Sequence, residues 1–110
     1  MSTWRACLPD TGSPVNLVNE ATLSDTMRGQ IKPYRGGRLR NLGWWPIRPK
    51  GRLTLKFKFA RYPDEYEAEF LVLKKELGPR FDCLLGYPWL SKNDFDLQKG
   101  PKEGEVIDLR

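Results

Sequence analysis

The stretch GRLTLKFKFA, residues 51 to 60, places Leu53, Leu55, Phe57 and Phe59 at every second position, with Arg52, Thr54, Lys56 and Lys58 between them. Successive side chains of a strand point to opposite faces, so this period of two makes one face apolar and the other charged. A turn at Tyr62-Pro63-Asp64 follows, then YEAEFLVL, which is expected to pair back as a hairpin partner. The apolar face of such a hairpin must be covered, and the rest of the chain has to supply the cover.

The remaining segments read as short elements. Nine Pro and ten Gly in 110 residues favour strands and turns over long helices, and 39% apolar residues allow a modest single core. Trp4 to Leu8 is a candidate strand stopped by Pro9, and Val15 to Val18 resumes an extended run. Asn19 is placed to cap a short helix carrying Leu23 and Met27 at helical spacing. Gln30 to Lys50 reads as a weak strand, a loop and a hairpin with its tip near Gly43. Phe81 to Leu85 is a buried strand, broken at Gly86 and followed by a short helix with Trp89 and Leu90. The tail reads as two short strands around a Gly/Pro/Lys turn. Residues 1–110 are therefore expected to form one mostly-β, mainly antiparallel domain with two helical turns.

Several chemistries are excluded by composition. There is no histidine, which removes Ser/His/Asp and Cys/His catalysis and any His-based zinc site. Cys7 and Cys83 are too few for a disulfide framework and sit in apolar runs, so they read as reduced core residues of an intracellular chain. No segment has the length of a signal peptide's apolar region or a membrane span, which predicts a soluble, cytoplasmic protein without a membrane partner. The formal charge is +5, and Arg28 to Lys58 is basic and free of acids, with Trp44, Trp45, Phe57 and Phe59 interleaved. Such a stripe could touch single-stranded nucleic acid. The alternation of charge with core residues makes a solvated strand face the preferred reading, and nucleic acid is not expected as a partner.

The remaining candidate for chemistry is LPDTGSP, residues 8 to 14. Alone, Asp10-Thr11-Gly12 is a weak motif that reads as turn punctuation sooner than as a working carboxylate. Together with GRLTLKFKF and FDCLLGYPWLSKND, in this order, LPDTGSPVNLVNE resembles the retropepsin-like aspartic proteases of retroviruses and LTR retrotransposons. The resemblance covers nearly the whole chain. It implies a small closed β-barrel-like fold and a homodimeric endopeptidase in which each chain contributes one Asp. The substrate would be an extended peptide from a retroelement polyprotein, and neither cofactor nor metal would be needed.

Carried over by matching positions, Asp10 would serve as base and acid, one from each chain. Thr11 would buttress the loop across the dimer, and Gly12 would let backbone approach the carboxylates. Ser13 would orient the Asp carboxylate or bond its own backbone. The hairpin around Leu42 to Ile47, with Gly43, Trp44 and Trp45, corresponds to the flap over the substrate, and Leu84, Leu85 and Gly86 to the strand beside the catalytic loop. Two departures stand out: Pro9 replaces an apolar strand residue, and few residues precede Asp10 where family members have a fuller strand region. An N-terminally truncated domain is one expectation from the second. The alternative to a protease is a catalytically inactive module of the same fold that dimerises or binds peptide.

Overall fold

Six strands in the order β1-β5-β2-β4-β3-β6 close on themselves into a barrel, with two short helices. The computed structural model describes residues 4–37, 39, 48–60, 62–74, 82–95 and 105–109. The strands are β1 (Trp4–Asp10), β2 (Leu17–Asn19), β3 (Gly51–Phe59), β4 (Glu65–Leu73), β5 (Cys83–Gly86) and β6 (Glu105–Leu109). The helices are α1 (Asp25–Arg28) and α2 (Tyr87–Lys92).

β3 and β4 form the expected hairpin, with Leu55 opposite Ala68 and Leu53 opposite Phe70. Leu53, Leu55, Phe57 and Phe59 are buried as the alternation requires. Inside the barrel they meet Cys7, Val18, Phe70, Val72, Leu85 and Ile107. One end of this core is aromatic: the rings of Phe57, Phe59, Tyr66, Trp89 and Phe95 pack with centroids mostly under 6 Å apart, a spacing at which edge-to-face geometry adds to burial. Trp89 also donates its indole N–H to the Glu67 carbonyl at 3.0 Å, which anchors α2 to β4.

In β4 the alternation ends at Phe70, and Leu71, Val72 and Leu73 are all buried. The reason is a second apolar cluster on the outside of the barrel. Leu17, Leu71, Leu73 and Leu84 form it, with Leu8, Val15, Tyr34 and Leu39 packed against them. The wall made by β1, β5, β2 and β4 is therefore covered on both faces.

Several expectations are corrected. β1 does not stop at Leu8 but runs through Pro9 to Asp10, with Pro9 opposite Leu85. The Asp82 N–H donates to the Ala6 carbonyl at 2.8 Å and the Asp82 carboxylate accepts from the Ala6 N–H at 2.9 Å, so Ala6 turns its backbone groups toward β5. By alternation, Pro9 turns its own away from β5, toward the β6 side, where the last described pair is Cys7 opposite Glu105. The missing N–H of Pro9 therefore takes no bond from the ladder between β1 and β5.

The segment after Asn19 is likewise not one helix. Asn19 caps a 3-10 turn over Glu20–Thr22, and Ser24 caps α1 separately by accepting from Met27 N–H at 3.2 Å. The sheet also contains two parallel pairings, β1 with β5 and β2 with β4, where an antiparallel arrangement prevails elsewhere. Of the expected weak strand near residue 32, a single bridge between Lys32 and Arg52 is formed. Of the two tail strands, the second is β6. It lies between β1 and β3 and closes the barrel, while Phe95, at the start of the first, is irregular backbone.

Candidate functional site

Asp10 ends β1 beside Gly86, the last residue of β5, and the chain then turns over Thr11 and Gly12. The turn is closed by Ser13 N–H donating to the Asp10 carbonyl at 3.1 Å. One carboxylate oxygen of Asp10, Oδ1, accepts from the Gly12 N–H at 2.9 Å, and Oδ2 has no partner among the described residues. Asp10 is half-buried while Thr11 and Gly12 are exposed, so the carboxylate stands at the rim of the barrel. A Cβ at Gly12 would sit 3.3 Å from Oδ1, against the acid itself. A side chain at Gly12 would thus press on the carboxylate, which would have to give by a few tenths of an ångström.

Ser13 is buried, and its hydroxyl donates to the Val15 carbonyl at 2.7 Å and accepts from Val15 N–H at 3.3 Å. Of the two roles expected for it, the structure shows the bond to its own backbone two residues on. The Ser13 carbonyl accepts from the Tyr87 N–H at 2.9 Å, which ties the turn to the start of α2.

Leu84, Leu85 and Gly86 do line up beside the turn, in parallel register with Leu8, Pro9 and Asp10. Leu85 is sealed in the barrel, and Leu84 belongs to the outer cluster with Leu8 and Leu17. Because side chains two apart share a strand face, Asp10 projects from the same face as Leu8. The carboxylate therefore shares its strand face with half-buried Leu8, at the edge of the outer cluster. Gly86 has no room for a side chain: a Cβ there would lie 2.7 Å from the Ser13 carbonyl oxygen and nearer still to that of Val15.

Sequence reasoning missed Asn16. Its side-chain carbonyl accepts from the Gly86 N–H at 2.8 Å and its amide donates to the Glu69 carbonyl at 3.0 Å. The available signal was a polar residue directly ahead of a buried strand. Gly43, Trp44 and Trp45, the expected flap, lie outside the described residues.

Away from the turn, the basic face of β3 lies beside an acidic face of β4, with Lys56 opposite Glu67 and Lys58 opposite Glu65. Arg52 and Glu69 are 3.4 Å apart. The face is mixed in sign rather than a uniform cationic track. An open groove of about 290 Å³ nearby is lined by Gln30, Lys32, Arg52, Leu53, Thr54 and Glu69 and includes no residue of the Asp10 turn. Among the described residues no group of three or more Cys, Asp or Glu side chains could hold a metal ion, and no helix is long and apolar enough to cross a membrane.

Cys7 and Cys83 are register partners on the parallel strands β1 and β5, both buried and both free thiols. A hydrogen bond with Cys7 and then burial hold the Cys83 thiol well above its ordinary pKa. They belong to the core, as expected, and not to the turn.

The fold and turn define a small closed β-barrel that presents one carboxylate at its rim, on a loop held by backbone hydrogen bonds. In comparison with known proteins, no family model and no curated protein matches the chain.

Proposed function

We propose that the chain is one half of a retropepsin-like aspartic endopeptidase, a cytoplasmic homodimer that hydrolyses peptide bonds of a retroelement polyprotein. The observation that carries this reading is the Asp10 turn itself. Its carboxylate is held through one oxygen by the Gly12 N–H, and it stands on the face of β1 that it shares with Leu8. One such turn supplies one carboxylate, and the chemistry needs two.

Two carboxylates within a few ångströms cannot both ionise cheaply, so they share a proton and titrate as a pair. The charged member takes a proton from a water held between them, and that water's oxygen attacks the scissile carbonyl. The protonated member donates a hydrogen bond to the same carbonyl oxygen. Collapse of the tetrahedral species passes a proton to the leaving nitrogen, and no covalent bond to the enzyme forms. Thr11, exposed at the tip of the turn, is free of the barrel core and suited to bonding across the two-fold axis. Leu8, half-buried on the same strand face as Asp10, is placed to meet an apolar side chain of an extended peptide.

The test combines sedimentation with a peptidase assay on wild type, D10N and D10A. A dimer that cleaves, inhibited by pepstatin-type transition-state mimics and inactive as D10N, supports the proposal. Cleavage by D10A overturns it. A dimer without turnover points instead to an inactive peptide-binding module.

A further inference from the structure

We propose that Asn16 is the positioning residue of this site, setting where the Asp10 carboxylate stands through a side-chain amide that clamps β5 to β4. The inference rests on the endopeptidase reading for its catalytic consequence.

Asn16 is the residue before β2 and is half-buried. Its Oδ1 accepts the Gly86 N–H at 2.8 Å, its Nδ2 donates to the Glu69 carbonyl at 3.0 Å, and its backbone carbonyl accepts the Leu71 N–H at 2.8 Å. Gly86 is the register partner of Asp10. The next backbone N–H, of Tyr87, is held by the Ser13 carbonyl. Two successive N–H groups at the end of β5 are thus taken by the two ends of the loop that carries Asp10. The Ser13 bond fixes the loop near the carboxylate, and the Asn16 bond fixes its far end to a second strand.

The chemistry of the clamp requires an amide. Asn offers an acceptor and a donor on adjacent atoms, and both are used. Asp at this position would keep an acceptor for Gly86 but turn a second oxygen toward the Glu69 carbonyl. Only once protonated could it donate there again. Since a displacement of about 1 Å at a reacting group costs about a hundredfold in rate, the clamp acts on turnover more than on substrate affinity.

The test uses the full chain, a peptide substrate, and the variants N16A and N16D. N16A is expected to lose about tenfold to a hundredfold in kcat with KM within about twofold of wild type. N16D is expected to lose as much at neutral pH and to recover relative to wild type as the pH falls and its new carboxyl takes up a proton, a recovery N16A does not show. Lowered unfolding midpoints with an unchanged kcat, or an N16D pH profile that parallels wild type, would overturn the inference. If N16A does not fold, the N16D profile decides. If wild type cleaves nothing, the endopeptidase reading has failed, and the clamp is judged from ¹H–¹⁵N spectra of N16D at neutral pH. The Gly12 amide, which reports on the Asp10 carboxylate, must then shift along with that of Gly86. An unmoved Gly12 amide would refute the positioning role.

Discussion

Gly86→Ala tests the packing of the Asp10 loop most directly. The added methyl group would lie 2.7 Å from the Ser13 carbonyl oxygen and nearer still to that of Val15, and both obstacles are backbone. Neither can swing aside as a flexible side chain would, so residues 13 to 15 must retreat by a substantial fraction of an ångström. Overpacking of this kind costs about 1–3 kcal/mol. The retreat also stretches two hydrogen bonds, Gly86 N–H to Asn16 and Tyr87 N–H to Ser13, now 2.8 and 2.9 Å. Each contributes about 1 kcal/mol. The expected loss is therefore about 3–5 kcal/mol, or roughly 12–30 °C in Tm for a domain of this size. Urea unfolding followed by tryptophan fluorescence, at one fixed protein concentration because a dimer's stability depends on it, measures the change. Gly12→Ala is the control on the other side of the loop. Among the described residues its methyl group meets only Asp10 Oδ1, at 3.3 Å on an exposed turn, so it should cost less than about 1 kcal/mol while lowering cleavage about a hundredfold or more. A G86A midpoint within about 0.5 kcal/mol of wild type would refute the reasoning, since surface changes alone stay inside that range.

Asp10→Asn removes one ionisable group per chain and leaves the Oδ1 acceptor for Gly12 in place, so cleavage should vanish while the unfolding midpoint moves by less than about 1 kcal/mol. Ser13→Ala deletes a buried hydroxyl that donates to Val15, and a loss of about 1–2 kcal/mol is expected in urea; no loss would mean the bond to Val15 does not hold the turn. The Cys83 thiol stays protonated in the native state above its ordinary pKa, because of its hydrogen bond with Cys7 and its burial. The unfolded chain begins to release that proton near pH 8.5. Stability should therefore be full below about pH 8.5 and fall as the pH rises beyond it. Tyr66, raised by burial and by the Asp64 charge, adds to the same trend above about pH 10. Urea midpoints taken at about pH 7 and pH 10 check this, and a midpoint that rises with pH would refute it. Both thiols should also resist a disulfide reagent until the chain unfolds.

What the sequence determined by itself was whatever depends on neighbours along the chain. The alternation in GRLTLKFKF decides which face of β3 is buried, and Gly86 followed by Pro88 ends β5 and starts α2. The Asp10-Thr11-Gly12 turn was legible too, because turn chemistry is local. Tertiary structure decided the rest. Pro9 reads as a strand breaker until its backbone is seen to face away from β5, so that the missing N–H takes no bond from the pairing with Leu85. The apolar run at the end of β4 has two buried faces because a second cluster packs outside the barrel. Asn16 passes unmarked inside the extended run Val15 to Val18, and its two side-chain partners lie 70 and 53 positions away. Local patterns record what a segment must bury. Which strand it lies beside is set by contacts between distant residues, and those also decide whether Asp10 is held on a sprung loop or a clamped one.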